Sequence, residues 1–395
     1  MKGEYILKGA LSWTFIRLYI LVLLYFSANS ILNVIIPLQG EELGATNAMI
    51  GLIMGAYLFT TMFFRPWAGH IIHKYGPMKV LHIILIINGI ALILYSITGL
   101  SGFFFARMMQ GISTAFFSMA LQIGIIDALP EEERSQGISL YSLFSYIPGI
   151  IGPLLALGVW QHGMNLFTIV MVTIAILTGV VGYSTKIESA KVAYSKKAPQ
   201  STNIFWSFHQ LVKNPILFRC SILMLVSSVI FGAITTFIPL YAKQIDNGSA
   251  GIYLMLQAAV VVLTRLTFMK RIPSDGKWHN GFIVSAMLIL TIASYSVSYA
   301  SVAGFTFFYF GAILMGVAQA LIYPTLTTYL SFVLEEDNRN VLLGLFIAMA
   351  DLGVSLGSVL MGPIADASSY SFMYSICAIW GLVLIFFSYR KKGII

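Results

Sequence analysis

Asp351 is the residue of this 395-residue chain whose position most demands a chemical explanation. It stands at the centre of an apolar stretch, 341–361. An acidic side chain there costs roughly 2.5–3.5 kcal/mol to place in a membrane. Two roles fit: a carboxyl facing a central cavity, taking up and releasing a proton or pairing with a substrate ammonium, or a neutral carboxyl hydrogen-bonded to a neighbouring helix. Arg107 lies in a second apolar stretch, 101–125, where helical spacing sets it on one broad face with Gly111, Thr114, Ser118 and Gln122. A polar stripe on an otherwise apolar helix lines water or a partner rather than lipid. A guanidinium keeps its charge when buried, so Arg107 does not carry the proton; it suits a carboxylate held through two parallel bonds, or snorkels to the headgroups. Asn29 and Asn33, Gln319 and Tyr323, and Asp351 and Ser355 are pairs four residues apart, each sharing a helix face; Gln257 is a further amide in an apolar run. Such amides either contact a substrate or bond between helices, the latter for about 0.6 kcal/mol each.

These residues need a scaffold that holds polar groups inside lipid. The chain is 58% hydrophobic and 10% charged, where a soluble domain has about 25% charged residues. That excludes a water-soluble globular enzyme. Apolar stretches fall at 14–37, 47–69, 78–99, 101–125, 136–160, 164–183, 215–241, 249–269, 281–300, 304–330, 341–361 and 370–389. Each is near the ~20 residues that span a bilayer, so the expected fold class is an all-α polytopic membrane protein with twelve transmembrane helices. A polar, lysine-bearing stretch divides them, giving an N-terminal half 1–185, a linker 186–213 and a C-terminal half 214–395. With the N-terminus cytoplasmic, about 20 of the 23 Lys and Arg lie in or beside inner segments. Both termini are therefore expected inside, and the acidic run Glu131, Glu132 and Glu133 is expected to be a solvated loop. The N-terminal apolar run is too long for a signal peptide and reads as the first span.

The two halves echo one another. Gly51, Arg65 and Gly76 recur 200 residues on as Gly251, Arg265 and Gly276, while Gly111 and Arg134 recur 205 on as Gly316 and Arg339. Paired six-helix halves are characteristic of secondary transporters. The net charge of +8 belongs to this topology rather than to nucleic-acid binding. Six scattered histidines and the lone Cys220 and Cys377 offer no metal-ligand spacing or disulfide framework, so no metal and no cofactor are expected. No phosphate-cradling GxxxxGK[ST] run is present, so ATP is not the energy source.

Gly69, His73, Lys74 and Gly76, with Lys79 following, resemble the loop 2–3 signature of the major facilitator superfamily, with His73 where that signature has an acid. Arg107 and Gly111 resemble its span-four element, and Gly152 and Pro153 its antiporter motif without the trailing double glycine. The strings FRPWAG (64–69), GIIDALPEEERSQG (124–137), IPSDGKWH (272–279), YPTLTTYLSFVL (323–334) and GLFIAMADLG (344–353) are similar to a staphylopine-type group in that family, exporters of opine metallophores, which are small amino-carboxylate chelators. The resemblance implies a monomeric, proton-coupled antiporter of the bacterial cell membrane that exports a metal-free metallophore; the alternative is multidrug efflux of lipophilic cations. It also implies that spans one, four, seven and ten line a cavity. Substrate or coupling residues would then be Asp351, Arg107, Asn29, Asn33, Gln122, Gln257, Gln319 and Tyr323. Inner-gate candidates are Arg65, Gly69, His73, Lys74, Gly76, Asp127, Arg134 and Arg265, and hinge candidates are Gly152, Pro153, Gly362 and Pro363.

Overall fold

A computed structural model describes residues 9–185, 211–268, 271–335 and 338–389. Among them are twelve helices long and apolar enough to cross a membrane. They are α1 (Trp13–Glu42), α2 (Asn47–Tyr75), α3 (Pro77–Ile97), α4 (Leu100–Ala128), α5 (Glu131–Gln161) and α6 (Met164–Ser184). Then follow α7 (Pro215–Tyr241), α8 (Ala250–Phe268), α9 (Asn280–Ala303), α10 (Phe305–Val333), α11 (Arg339–Ala367) and α12 (Tyr370–Ser388). The all-helical, twelve-span architecture expected from the sequence is the one observed. In lipid only a helix satisfies its own backbone donors and acceptors without a partner strand. Most of the linker expected at 186–213 lies outside the described residues.

Several helices outrun their apolar stretches because nothing at the polar ends breaks them. α1 continues to Glu42 through Pro37, and α2 to Tyr75 through Pro66. The acidic run is not a loop: Glu131 opens α5, whose N-terminal turn favours carboxylates through its unsatisfied N–H groups. Glu133 also accepts the Ala10 N–H at 2.6 Å. The surface is apolar, with Ile97, Phe105, Val180 and Phe386 more than half exposed, while Asn88, Arg107, Gln110 and Ser294 are buried. This inversion is what a hydrocarbon solvent selects.

The chain packs as two compact units, one of Met1–Ile35 with Phe59–Ala198, the other of Ile36–Leu58 with Pro199–Ile395. α1 and α2 thus each contribute to both. In the first unit α3 and α5 both pack on α4 and α6; in the second, α9 and α11 both pack on α10 and α12. The sequence landmarks repeat in structure as well. Gly76 and Gly276 turn the chain at φ 85° and 71°, a left-handed conformation that favours glycine. Arg134 Nε donates to Leu129 O at 3.3 Å and Arg339 Nε to Leu334 O at 3.4 Å, the same cap on α4 and on α10. Gly111 O accepts from Thr61 of α2, and Gly316 lies against the α8 backbone at Gln257.

Candidate functional site

The first polar cluster is built by α4 and α1. Along α4, Arg107, Gly111, Thr114 and Ser118 are buried as one stripe, whereas Gln122 at its end is exposed. Arg107 is 0% exposed, so its guanidinium turns inward rather than snorkelling. One terminal nitrogen donates to Asn29 Oδ1 at 2.7 Å and the other to Asn33 Oδ1 at 2.8 Å. The four-residue spacing that put both amides on one face of α1 gives the guanidinium two parallel acceptors. Hydrogen bonds from a charged donor are worth about 1.5–3 kcal/mol each, well above the ~0.6 kcal/mol of an average interhelical bond in lipid. Because amides are neutral, these bonds orient the guanidinium without cancelling its charge.

Sequence reasoning missed the tyrosines that bond to α4, Tyr25 and Tyr95. Tyr25 and Thr114 share a hydroxyl hydrogen bond at 3.0 Å, and the Tyr25 ring stacks on Phe117 with centroids 3.7 Å apart. Tyr95 donates to Gln110 Oε1 at 2.7 Å. Tyrosine reads as apolar in a hydropathy run, yet a usable signal was present: Tyr25, Asn29 and Asn33 extend one face of α1 at steps of four.

The second cluster belongs to the other unit. Gln257 Nε2 of α8 donates to Gln319 Oε1 of α10 at 3.1 Å. Nearby, a side chain on Gly316 would come within 2.7 Å of Gln257 O, so the glycine is what lets the two helices bring their amides together. Tyr323 lies a turn beyond Gln319, its ring 6.2 Å from that of Phe346 on α11. Asp351, on α11, is partly buried, with Oδ2 shielded from solvent. α11 is held against α7 along a glycine seam. Added side chains at Gly232, Gly353 and Gly357 would lie 2.1 Å from Val354 O, 2.4 Å from Leu225 O and 2.1 Å from Val229 O. Asp351 is two residues from this seam, so its height and direction follow from backbone contact.

The gate and hinge candidates fall at helix ends and contacts. Arg65, His73, Asp127 and Arg265 are partly buried, and Lys74 is exposed with its ammonium 5.1 Å from the Tyr75 ring centroid. Arg134 Nε also reaches Ile126 O at 2.9 Å, and Gly69 packs near Met119. Gly152 seats Ser30 of α1, whose hydroxyl donates to Pro148 O at 2.8 Å, which makes Gly152 and Pro153 part of an α1–α5 contact. Gly362 lies on the backbone of Asn47 in α2, and Pro363 is exposed. No group of three or more potential metal-ligating His, Cys, Asp or Glu residues occurs among the described residues.

Twelve helices long and apolar enough to cross a membrane, arranged in two units with repeated packing, are the architecture of a multi-pass membrane transporter. Residues 18–278 and 277–393 match the Major Facilitator Superfamily, and the chain belongs to that family. It is 54% identical over 388 residues to the staphylopine export protein of Staphylococcus aureus strain Mu50, a match covering 98% of each chain. Multidrug resistance protein 2 of Bacillus subtilis strain 168 is 21% identical, with 84% of this chain and 83% of that one aligned. The crystal structure of the nucleoside transporter NupG superposes with a TM-score of 0.77 at 16% identity, covering 95% of this chain and 99% of that one, a likeness of fold.

Proposed function

We propose that the protein exports a small, metal-free opine-type metallophore by alternating access, as a proton-coupled antiporter of the bacterial cell membrane with both termini cytoplasmic. The observation that carries the substrate class is the full-length similarity, at 54% identity, to a staphylopine export protein. The geometry supports it: a guanidinium inside the helix bundle, oriented by two neutral amides, is of the chemistry that holds a substrate carboxylate. Asp351 is the proton carrier in this reading and Arg107 the anion anchor. Gln257, Gln319 and Tyr323 add neutral hydrogen-bonding groups suited to amines. Multidrug efflux of lipophilic cations is less well supported: the relative named for multidrug resistance is 21% identical, and a cationic cargo gains nothing from Arg107.

The energetics suffice. A hundredfold uphill gradient needs about 2.7 kcal/mol, and one proton crossing 100 mV supplies about 2.3 kcal/mol before any pH gradient. One titrating carboxylate therefore covers most of the work. Mass spectrometry of cytosolic solutes in a strain lacking the protein tests the substrate: a metal-chelating amino acid is retained, whereas retention of lipophilic dyes instead overturns the assignment. Asp351→Asn tests the coupling. It loses pH-driven export while still reaching the membrane, and export at the parental rate removes Asp351 from that role.

A further inference from the structure

The N-terminus of α2 is held by a residue far away in sequence. Thr46 caps only one of its first amides, accepting from Met49 N at 3.2 Å. Asn47 N and Ala48 N instead donate to the two carboxylate oxygens of Asp366, near the C-terminal end of α11, both at 2.8 Å. Asn47 Nδ2 adds a third bond to Asp366 Oδ1 at 2.9 Å, and Tyr370 of α12 donates to Asn47 Oδ1 at 2.6 Å. A carboxylate at that position meets unsatisfied N–H groups and the positive end of the helix dipole together.

Beneath this cap lies a close-packed seam. Gly51 lies on the backbone of Ser358, Gly55 on that of Ser355, and Gly362 on that of Asn47. Ser355 is 3% exposed, and its hydroxyl donates to Gly55 O at 2.9 Å. All these groups belong to the unit that contains residues 36–58, although the remainder of α1 and α2 packs in the other unit. The cap itself is different in kind from the seam, because Asp366 is exposed. Water is at hand to replace each of its bonds, so it forms and releases at little cost, while the seam below it has no such substitute.

We propose that Asp366 is a latch of the transport cycle: by capping α2 it holds residues 36–58 against α11, and its release frees them. Asp366 is a positioning residue; it acts through the α2 N-terminus and touches no cargo. Its part in a transport cycle rests on the exporter reading above, but the contact does not.

The test is labelling of Ser355→Cys by a membrane-impermeant maleimide in vesicles of known sidedness. Cys220 and Cys377 are fully buried, and the parent without the added thiol sets the background. Adding Asp366→Asn, which keeps the shape but loses the charge, speeds labelling about fivefold or more, and Asp366→Glu restores much of the parental rate. Tyr370→Phe, which removes the Asn47 bond alone, gives a smaller increase and serves if Asp366→Asn fails to reach the membrane. The exposed pair of Lys243 and Glu41, at 2.5 Å, lies at the C-terminal ends of α7 and α1, and Glu41→Gln changes the rate less than about twofold. Unchanged labelling in Asp366→Asn, or an equal increase in Glu41→Gln, overturns the latch. Labelling needs no substrate, so failure of the metallophore reading leaves this result interpretable, and the side from which the label enters reports the orientation separately.

Discussion

Replacing Asn33 with aspartate separates a binding role for Arg107 from a structural one. In the native protein Asn33 Oδ1 accepts from the guanidinium at 2.8 Å and brings no charge. Asn33→Asp is nearly isosteric, keeps that bond, and sets a full negative charge about 4 Å from the centre of the cation. At an effective dielectric near 20 that attraction is about 4 kcal/mol. Desolvation of the new carboxylate takes back a large part, but even about 1.4 kcal/mol of net pairing costs a competing substrate carboxylate tenfold in affinity. The expected outcome is therefore a protein as thermally stable as the parent, or more so, with an apparent affinity for the metallophore at least tenfold weaker. Counterflow of labelled staphylopine in proteoliposomes measures the affinity, and thermal unfolding in detergent measures the stability. If Arg107 only ties α4 to α1, the substitution leaves counterflow untouched. A stable Asn33→Asp protein with parental apparent affinity refutes the reasoning.

Two further outcomes follow from the packing. Gly357→Leu places a Cβ 2.1 Å from Val229 O, where ordinary contact begins near 3.4 Å, so α7 and α11 must separate by more than an ångström; folded protein in size-exclusion profiles falls sharply. Gly89→Ala, whose Cβ meets nothing within 4 Å, is the control and stays monodisperse. Gln257→Leu removes one interhelical bond worth about 0.6 kcal/mol, so stability drops little while transport weakens severalfold. A stability loss with unchanged transport would assign the amide pair to packing.

Much of this protein is legible along the chain because membrane insertion is decided locally. A run of about twenty apolar residues pays its own backbone cost by becoming a helix, whatever its neighbours are. The α1 to α12 order follows from that alone. The same logic singles out Arg107 and Asp351, since a charge inside such a run is costly by itself. The recurring glycines and arginines were visible too, and Arg134 with Arg339 make equivalent caps. Helix ends were less legible: α5 begins at Glu131 because a helix N-terminus tolerates carboxylates that hydropathy assigns to a loop.

Partnership is where sequence stops. That Arg107 meets Asn29 and Asn33, or that Gln257 meets Gln319, depends on how helices 62 to 78 residues apart are rotated against one another. Asp366 is the clearest case: it occupies a polar helix end whose composition distinguishes it from no other loop acid. Only the register of α11 on α2, set by backbones meeting at Gly51, Gly55 and Gly362, brings its carboxylate to two amides 318 and 319 residues away. The sequence by itself determined the solvent, the number of spans and which buried charges need a reason. Tertiary structure decided what each charge faces, because interhelical contact is set by side-chain volume and close approach between distant segments, which no local pattern encodes.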